Sequence, residues 1–169
     1  MKPRVMILVI FTAFVGMMLA PDIISPINYF FVLLSVSLGA GSSAAINMWF
    51  DEDIDKSMER TKTRPIPLGI ISKAEALFFG IVTGIISLLI MYYVSNTLAT
   101  SLLLFTILFY VFIYTFWLKR STSLNIVIGG AAGAIPPIIG WVTVVPEINF
   151  LPIMTVSYTH LTLPTILLV

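Results

Sequence analysis

The chain has 169 residues, 59% hydrophobic and only 10% charged, with a net charge of +1 and a mean hydropathy of +1.06. A soluble domain carries about a quarter of its residues as Asp, Glu, Lys and Arg, so this composition excludes an ordinary water-soluble globule, and its apolar content excludes disorder. With no cysteine and a single histidine, His160, the chain has no disulfide framework, no thiolate or two-histidine metal site and no cysteine nucleophile.

The expected fold class is an all-α integral membrane bundle. A helix needs about 20 apolar residues to cross a hydrocarbon core of about 30 Å. The first apolar run is 5–20, closed by Pro21 and Asp22. It is slightly short, but Lys2 and Arg4 can snorkel to the headgroups. It lacks a small-residue cleavage site and more spans follow, so it reads as a span and not as a signal peptide. The second run is 27–50, the third 76–94, the fourth 98–118 and the fifth 124–145. A sixth begins near 150. A membrane barrel would instead alternate apolar and polar residues over segments of about ten.

The charges are distributed unevenly over this layout. All nine Lys and Arg residues fall before the first span, between the second and third, or between the fourth and fifth. With five spans these segments share one side of the membrane. The opposite loops carry only Asp22 and Glu147. By the positive-inside rule, the N-terminus and the 49–75 loop are expected in the cytoplasm.

Most of the acidic groups gather at the end of the second span. At about 100° per residue, positions four apart drift by only about 40°. Asn47, Asp51 and Asp55 therefore share one helix face, and Asp53 points nearly opposite to Asp51. Two carboxylates and an amide oxygen are hard ligands suited to Mg²⁺, which takes one or two carboxylates plus phosphate oxygens and water. Arg60, Lys62 and Arg64 follow directly, and cations there suit a diphosphate, which Arg grips bidentately. Glu52, Asp53, Glu59 and Lys73 read instead as a solvated helix surface, with Glu52 and Lys56 an ordinary i,i+4 pair.

The small-residue spacings Gly80-x-x-x-Gly84 and Gly129-x-x-x-Gly133 read as close helix packing rather than a phosphate cradle. Pro136-Pro137, in mid-span, is expected to kink or break the fifth helix. Tyr110, Tyr114, Trp117 and Trp141 read as core or interface anchors.

Asn47-x-x-x-Asp51-x-x-x-Asp55, followed by Met58-Glu59-Arg60-Thr61 and Arg64-Pro65, resembles the first aspartate-rich motif of the UbiA superfamily of membrane prenyltransferases. Lys2-Pro3-Arg4, the segment Tyr114-Thr115-Phe116-Trp117-Leu118-Lys119-Arg120, and the run Gly129-Gly130-Ala131-Ala132-Gly133-Ala134-Ile135-Pro136-Pro137-Ile138-Ile139-Gly140-Trp141 narrow the resemblance to the branch that farnesylates haem. The resemblance implies transfer of the farnesyl group of farnesyl diphosphate to a vinyl group of haem B, giving haem O. It implies that Asp51 and Asp55, assisted by Asn47, hold Mg²⁺ on the diphosphate. It implies that Arg60, Arg64, Lys119 and Arg120 bind phosphate oxygens, and that the lipid bilayer and other membrane proteins of the haem pathway are the surroundings. Nothing in the pattern points to nucleic acid.

The family has about nine transmembrane helices and a second aspartate motif, whereas this chain ends after five spans and the start of a sixth. Residues 1–155 are therefore expected to be the N-terminal part of a UbiA-type domain. Residues 156–169 do not resemble the family and read as an artefactual tail, which would make His160 meaningless as a ligand. Such a half is expected to be inactive on its own. Two other readings stand beside this one: a related enzyme prenylating a quinone precursor or another aromatic or tetrapyrrole acceptor, and a non-catalytic membrane protein such as a transporter fragment. A transporter more often carries ionisable groups inside its spans, and here no Asp, Glu, Lys or Arg lies in the middle of one.

Overall fold

A computed structural model describes residues 3–59, 61–118, 125–148 and 154. The described residues form an antiparallel helical bundle without strands. The helices are α1 (Pro3–Leu19), α2 (Pro26–Phe50), α3 (Glu52–Ser57), α4 (Lys73–Val94), α5 (Thr97–Leu108) and α6 (Asn125–Val144), with α5 continuing as a π-helix over Phe109–Leu118. Among the described residues three stretches are long and apolar enough to cross a membrane: Pro26–Phe50, Lys73–Val94 and Thr97–Trp117. α1 has 17 residues, at the short end of the spanning range.

The helix starts follow local chemistry. Ser25 caps α2 through its hydroxyl, which accepts the Asn28 amide, and Pro26 occupies the first turn where its missing N–H costs nothing. Ser72 and Glu75 form a reciprocal capping box at α4. Asn96 caps α5 by accepting from the Ala99 amide, while its Nδ2 donates 2.7 Å to the Val142 carbonyl of α6. The short polar link between α4 and α5 is thereby fastened to the end of α6.

Packing between helices uses small residues and hydroxyls. α2 lies along α4. Ser35 Oγ donates 2.8 Å to the Ser87 carbonyl, and Ser87 Oγ donates 2.7 Å to the Ser35 carbonyl. Ser42 Oγ donates 2.6 Å to the Gly80 carbonyl. A β-carbon at Gly80 would come within 2.7 Å of Ile46 Cγ1, and one at Gly84 within 2.7 Å of Ser42 Oγ. The Gly80/Gly84 spacing is thus a packing device, as expected of small residues in a membrane helix. The surroundings of Gly129 lie outside the described residues.

α1 lies against α6 at still closer range. Gly16 faces the Pro137 carbonyl and Gly140 faces the Ala13 carbonyl, with no room for a β-carbon at either glycine. The proline pair departs from expectation in one respect: α6 runs through Pro136 and Pro137 without a break. Two donors are lost there, yet the helix is held by α1 on one side and by the core residues Ile139, Trp141 and Val142 that follow. Tertiary packing outweighs the local cost.

Candidate functional site

The geometry of the site starts at the joint between α2 and α3. Asp51 (φ −88°, ψ 8°) ends α2 and precedes α3. Its N–H donates 3.0 Å to the Asn47 carbonyl, and its own carbonyl accepts from the Asp55 N–H at 2.8 Å. The i→i+4 bonding therefore passes through the joint, and Asn47, Asp51 and Asp55 stack on one side. Asp51 is fully buried and Asp55 is 3% exposed, whereas Asp53 faces solvent. Carboxylates this deeply buried need partners.

Arg64 supplies one of them. The chain turns back after α3, and Arg64 Nη1 donates 2.5 Å to Asp55 Oδ2. Thr61, buried, anchors the same turn through a 3.1 Å bond from its hydroxyl to the Asp55 carbonyl. Ile66 is inserted into the core behind it. Gly69 ends the loop in the left-handed region (φ 73°), where a side chain would be strained.

The neighbouring charges pair among themselves. Lys62 is exposed and bonded to Glu59. Glu52 accepts from Lys56 at 2.8 Å and from Lys73 at 2.6 Å, tying α3 to the start of α4. Hydrogen bonds from Lys56 and then Lys73 hold the Glu52 carboxyl below its ordinary value of 4.5. These residues belong to the loop's scaffold, as expected for a solvated surface, and Lys62 stands with them.

The third side of the site comes from the π-helix. Asn47 Nδ2 donates 3.1 Å to Thr115 Oγ1, and Thr115 Oγ1 donates 2.9 Å to the Tyr110 carbonyl. Thr115 is fully buried. The i→i+5 geometry of a π-helix widens each turn and here brings Thr115 inward on the Asn47 side. Phe116 packs on Phe50 at 4.4 Å between ring centroids, which locks the π-helix to the end of α2. Tyr110 and Tyr114 stack 5.0 Å apart and face the cavity described next, not a closed core. Trp117 is 65% exposed and Trp141 is buried, in keeping with an interface and a core position.

These groups border a cavity of about 490 Å³. Asn47, Asp55, Thr61, Arg64, Tyr110 and Tyr114 give it a polar part; Val9, Val36, Leu103, Ile107 and Ile139, further along the helices, give it an apolar part. Asp51 lies behind this wall. One carboxylate and one amide face a space that also receives an arginine. This donor set fits a hard cation arriving with a phosphorylated ligand, since such a cation keeps phosphate and water oxygens in its remaining positions. Among the described residues no three carboxylates or histidines converge, so the protein side supplies only part of a coordination shell.

Of the residues singled out from sequence, the structure brings together Asn47, Asp51, Asp55 and Arg64. Arg60, Lys119 and Arg120 lie outside the described residues. Thr115 and Tyr110 were not singled out for the site. Thr115 stands 68 residues from Asn47, and no spacing within either helix signals that pair.

Comparison with known proteins places these features in a family. The UbiA prenyltransferase family matches residues 9–169. The chain is 50% identical over 154 residues to a protein of Granulibacter bethesdensis and 52% identical over 153 residues to one of Pelagibacter ubique, each named protoheme IX farnesyltransferase. It is 56% identical over 144 residues to the Sinorhizobium fredii protein of the same name. The matches cover 91%, 90% and 85% of this chain but 49%, 50% and 45% of those proteins. The chain thus spans about half the length of the curated relatives it matches. The apo structure of a UbiA homolog from Aeropyrum pernix K1 superposes with a TM-score of 0.77 at 20% identity, covering 95% of this chain and 58% of that one, which establishes the shared fold. An apolar helical bundle of this fold, matched along nearly its whole length, is an integral membrane protein that belongs to the UbiA prenyltransferase family.

Proposed function

We propose that this chain supplies the diphosphate-binding half of an Mg²⁺-dependent enzyme that transfers the farnesyl group of farnesyl diphosphate to a vinyl group of haem B, giving haem O. The observation that carries this reading is the two-part cavity, with Asn47, Asp55 and Arg64 in one part and an apolar trench as the other. A diphosphate head and an isoprenoid tail have that same division. The names of the relatives, each a protoheme IX farnesyltransferase, support farnesyl as the donor group and haem as the acceptor.

In this reading Asp55 and Asn47 hold the cation from the cavity side, with Asp51 adding negative charge from behind. Arg64 takes phosphate oxygens, joined by Arg60, Lys119 and Arg120. Mg²⁺ supplies charge stabilisation to the departing diphosphate. The cationic side chains share that task in a site of low dielectric, where electrostatic stabilisation is strongest. The apolar trench orients the farnesyl chain and keeps water from its carbon 1. The vinyl π electrons form the new bond to carbon 1 as its bond to the diphosphate oxygen breaks, and the cation left on the other vinyl carbon is then taken by water with loss of a proton, giving the hydroxyl of haem O.

The N-terminus and the 49–75 loop face the cytoplasm, because all nine Lys and Arg residues fall on that side. The site therefore opens to the cytoplasmic boundary of the membrane.

The test is a chimera in which this chain replaces the matching half of the Sinorhizobium fredii protein. Membranes carrying it, given Mg²⁺, farnesyl diphosphate and haem B, are expected to form haem O. Joint Asp51→Asn and Asp55→Asn substitution should abolish product by more than a hundredfold with membrane insertion intact. Prenylation of an aromatic acid in place of haem, or full activity of the double variant, would overturn the assignment.

A further inference from the structure

We infer that Thr115 is a positioning residue that fixes which end of the Asn47 amide faces the cavity. This rests on the cation–diphosphate reading given above and adds a residue to it.

Proton count decides which way the amide turns. A threonine hydroxyl has one proton and two lone pairs. The Thr115 proton is committed to the Tyr110 carbonyl at 2.9 Å, and a carbonyl can only accept. Toward Asn47 the hydroxyl can then only accept, so the amide must present its NH₂ group, as it does at 3.1 Å. The amide oxygen is turned away from Thr115. Asn47 borders the cavity beside Asp55.

The consequence is a role for Asn47. With its oxygen presented to the cavity it serves as a cation ligand and not as a donor to phosphate oxygens. Turning the amide over would set its oxygen against the hydroxyl oxygen and its NH₂ toward the cation. The Thr115 hydroxyl could relieve the first fault only by giving up its bond to the Tyr110 carbonyl. Full burial of Thr115 raises the cost of every such arrangement. The π-helix makes the relay possible, because it sets the Thr115 hydroxyl over the carbonyl five residues earlier.

Two measurements on the full chain in detergent test this. The first is NMR of the ¹⁵N-labelled Asn side chains, with the Asn47 signal assigned from Asn47→Ala. Thr115→Val, which keeps shape and loses the hydroxyl, should shift the Asn47 amide proton signals and speed their exchange. Thr115→Ser should leave them in place. Thr115→Ala repeats the test if the valine variant does not fold. The second is calorimetric titration with Mg²⁺ and farnesyl diphosphate. Thr115→Val should weaken binding about tenfold, the cost of one hydrogen bond to a charged site, and Thr115→Ser by less than about twofold. In an Asn47→Ala background Thr115→Val should add nothing. An unmoved Asn47 signal in Thr115→Val, a serine variant as weak as the valine one, or additive losses in the double variant would each overturn the inference. A wild-type chain that shows the amide shifts but binds no Mg²⁺–farnesyl diphosphate would overturn the proposed function while supporting the relay from Thr115 to Asn47.

Discussion

Arg64 reaches back nine residues to place its guanidinium 2.5 Å from the Asp55 carboxylate, in the polar part of the cavity. Asp55 is 4% exposed at its side chain and Arg64 24%, so the pair sits at the boundary between protein and cavity. Removing one partner of such a pair leaves a poorly solvated charge. Arg64→Ala is expected to destabilise the 52–72 loop by about 1–3 kcal/mol, a buried-pair cost reduced by the partial exposure of Arg64. Limited proteolysis should show faster cleavage between residues 58 and 72. Arg64→Lys should restore part of the protection but not the affinity for diphosphate, because a point charge cannot reproduce bidentate contact.

The close approach of α1 and α6 predicts a graded response to alanine. A β-carbon at Gly16 meets the Pro137 carbonyl and one at Gly140 meets the Ala13 carbonyl, both rigid backbone. A β-carbon at Gly84 meets the Ser42 side chain, whose hydroxyl can rotate away at the cost of its one bond to the Gly80 carbonyl. Gly16→Ala and Gly140→Ala should each cost about 2–3 kcal/mol, within the range for overpacking a close-packed interior. Gly84→Ala should cost about 1 kcal/mol or less. Unfolding by sodium dodecyl sulfate titration, followed by tryptophan fluorescence, would rank the three.

Glu52 links α3 to α4 through Lys56 and Lys73, and its pKa is lowered in the folded state. A lowered folded value means that the carboxylate form is the stabilising one. The contribution is fully present above the ordinary value of 4.5 and is lost as pH falls through the lower folded value. The thermal midpoint of the wild type should therefore decline on acidification below about pH 4.5, and that of Glu52→Gln should decline less steeply. The effect should shrink in high salt, since the pair is near the surface.

The chain contains no cysteine, so single introduced thiols report orientation without background. Lys62→Cys, on the 49–75 loop, should be shielded in intact cells from a membrane-impermeant maleimide and react once the membrane is opened. Asp22→Cys, on the short loop after α1, should react in intact cells. The reverse pattern would place the cation-rich side outside and overturn the orientation.

The helices Pro26–Phe50, Lys73–Val94 and Thr97–Trp117 were legible in the sequence because each is a continuous apolar run. The stacking of Asn47, Asp51 and Asp55 was legible too, since bonding four residues apart continues through the joint at Asp51. Other features depend on which helices meet. Nothing near Asn47 announces Thr115, and nothing near Arg64 shows that it chooses Asp55 over the other acids of the loop. At Pro136-Pro137 the helix is not broken, and the close fit of α1 against α6 holds it there. Tyr110 and Tyr114 read as anchors until the wider turn of the π-helix set them against the cavity.

That wider turn makes chain length inside the fourth span a functional quantity. A π-helix takes more residues per turn than an α-helix, so the stretch Phe109–Leu118 carries surplus chain relative to an α-helical path of equal rise. Deleting a single residue there would let one wide turn close to α geometry, with little rotation of the chain beyond it. Such a change would keep the hydropathy of the span, its passage through the bilayer and the direction of its far end, yet take the Thr115 hydroxyl off the carbonyl it meets five residues earlier. The span therefore absorbs a change of one in its count more readily than an α-helical span would, and the relay to Asn47 is what that change removes.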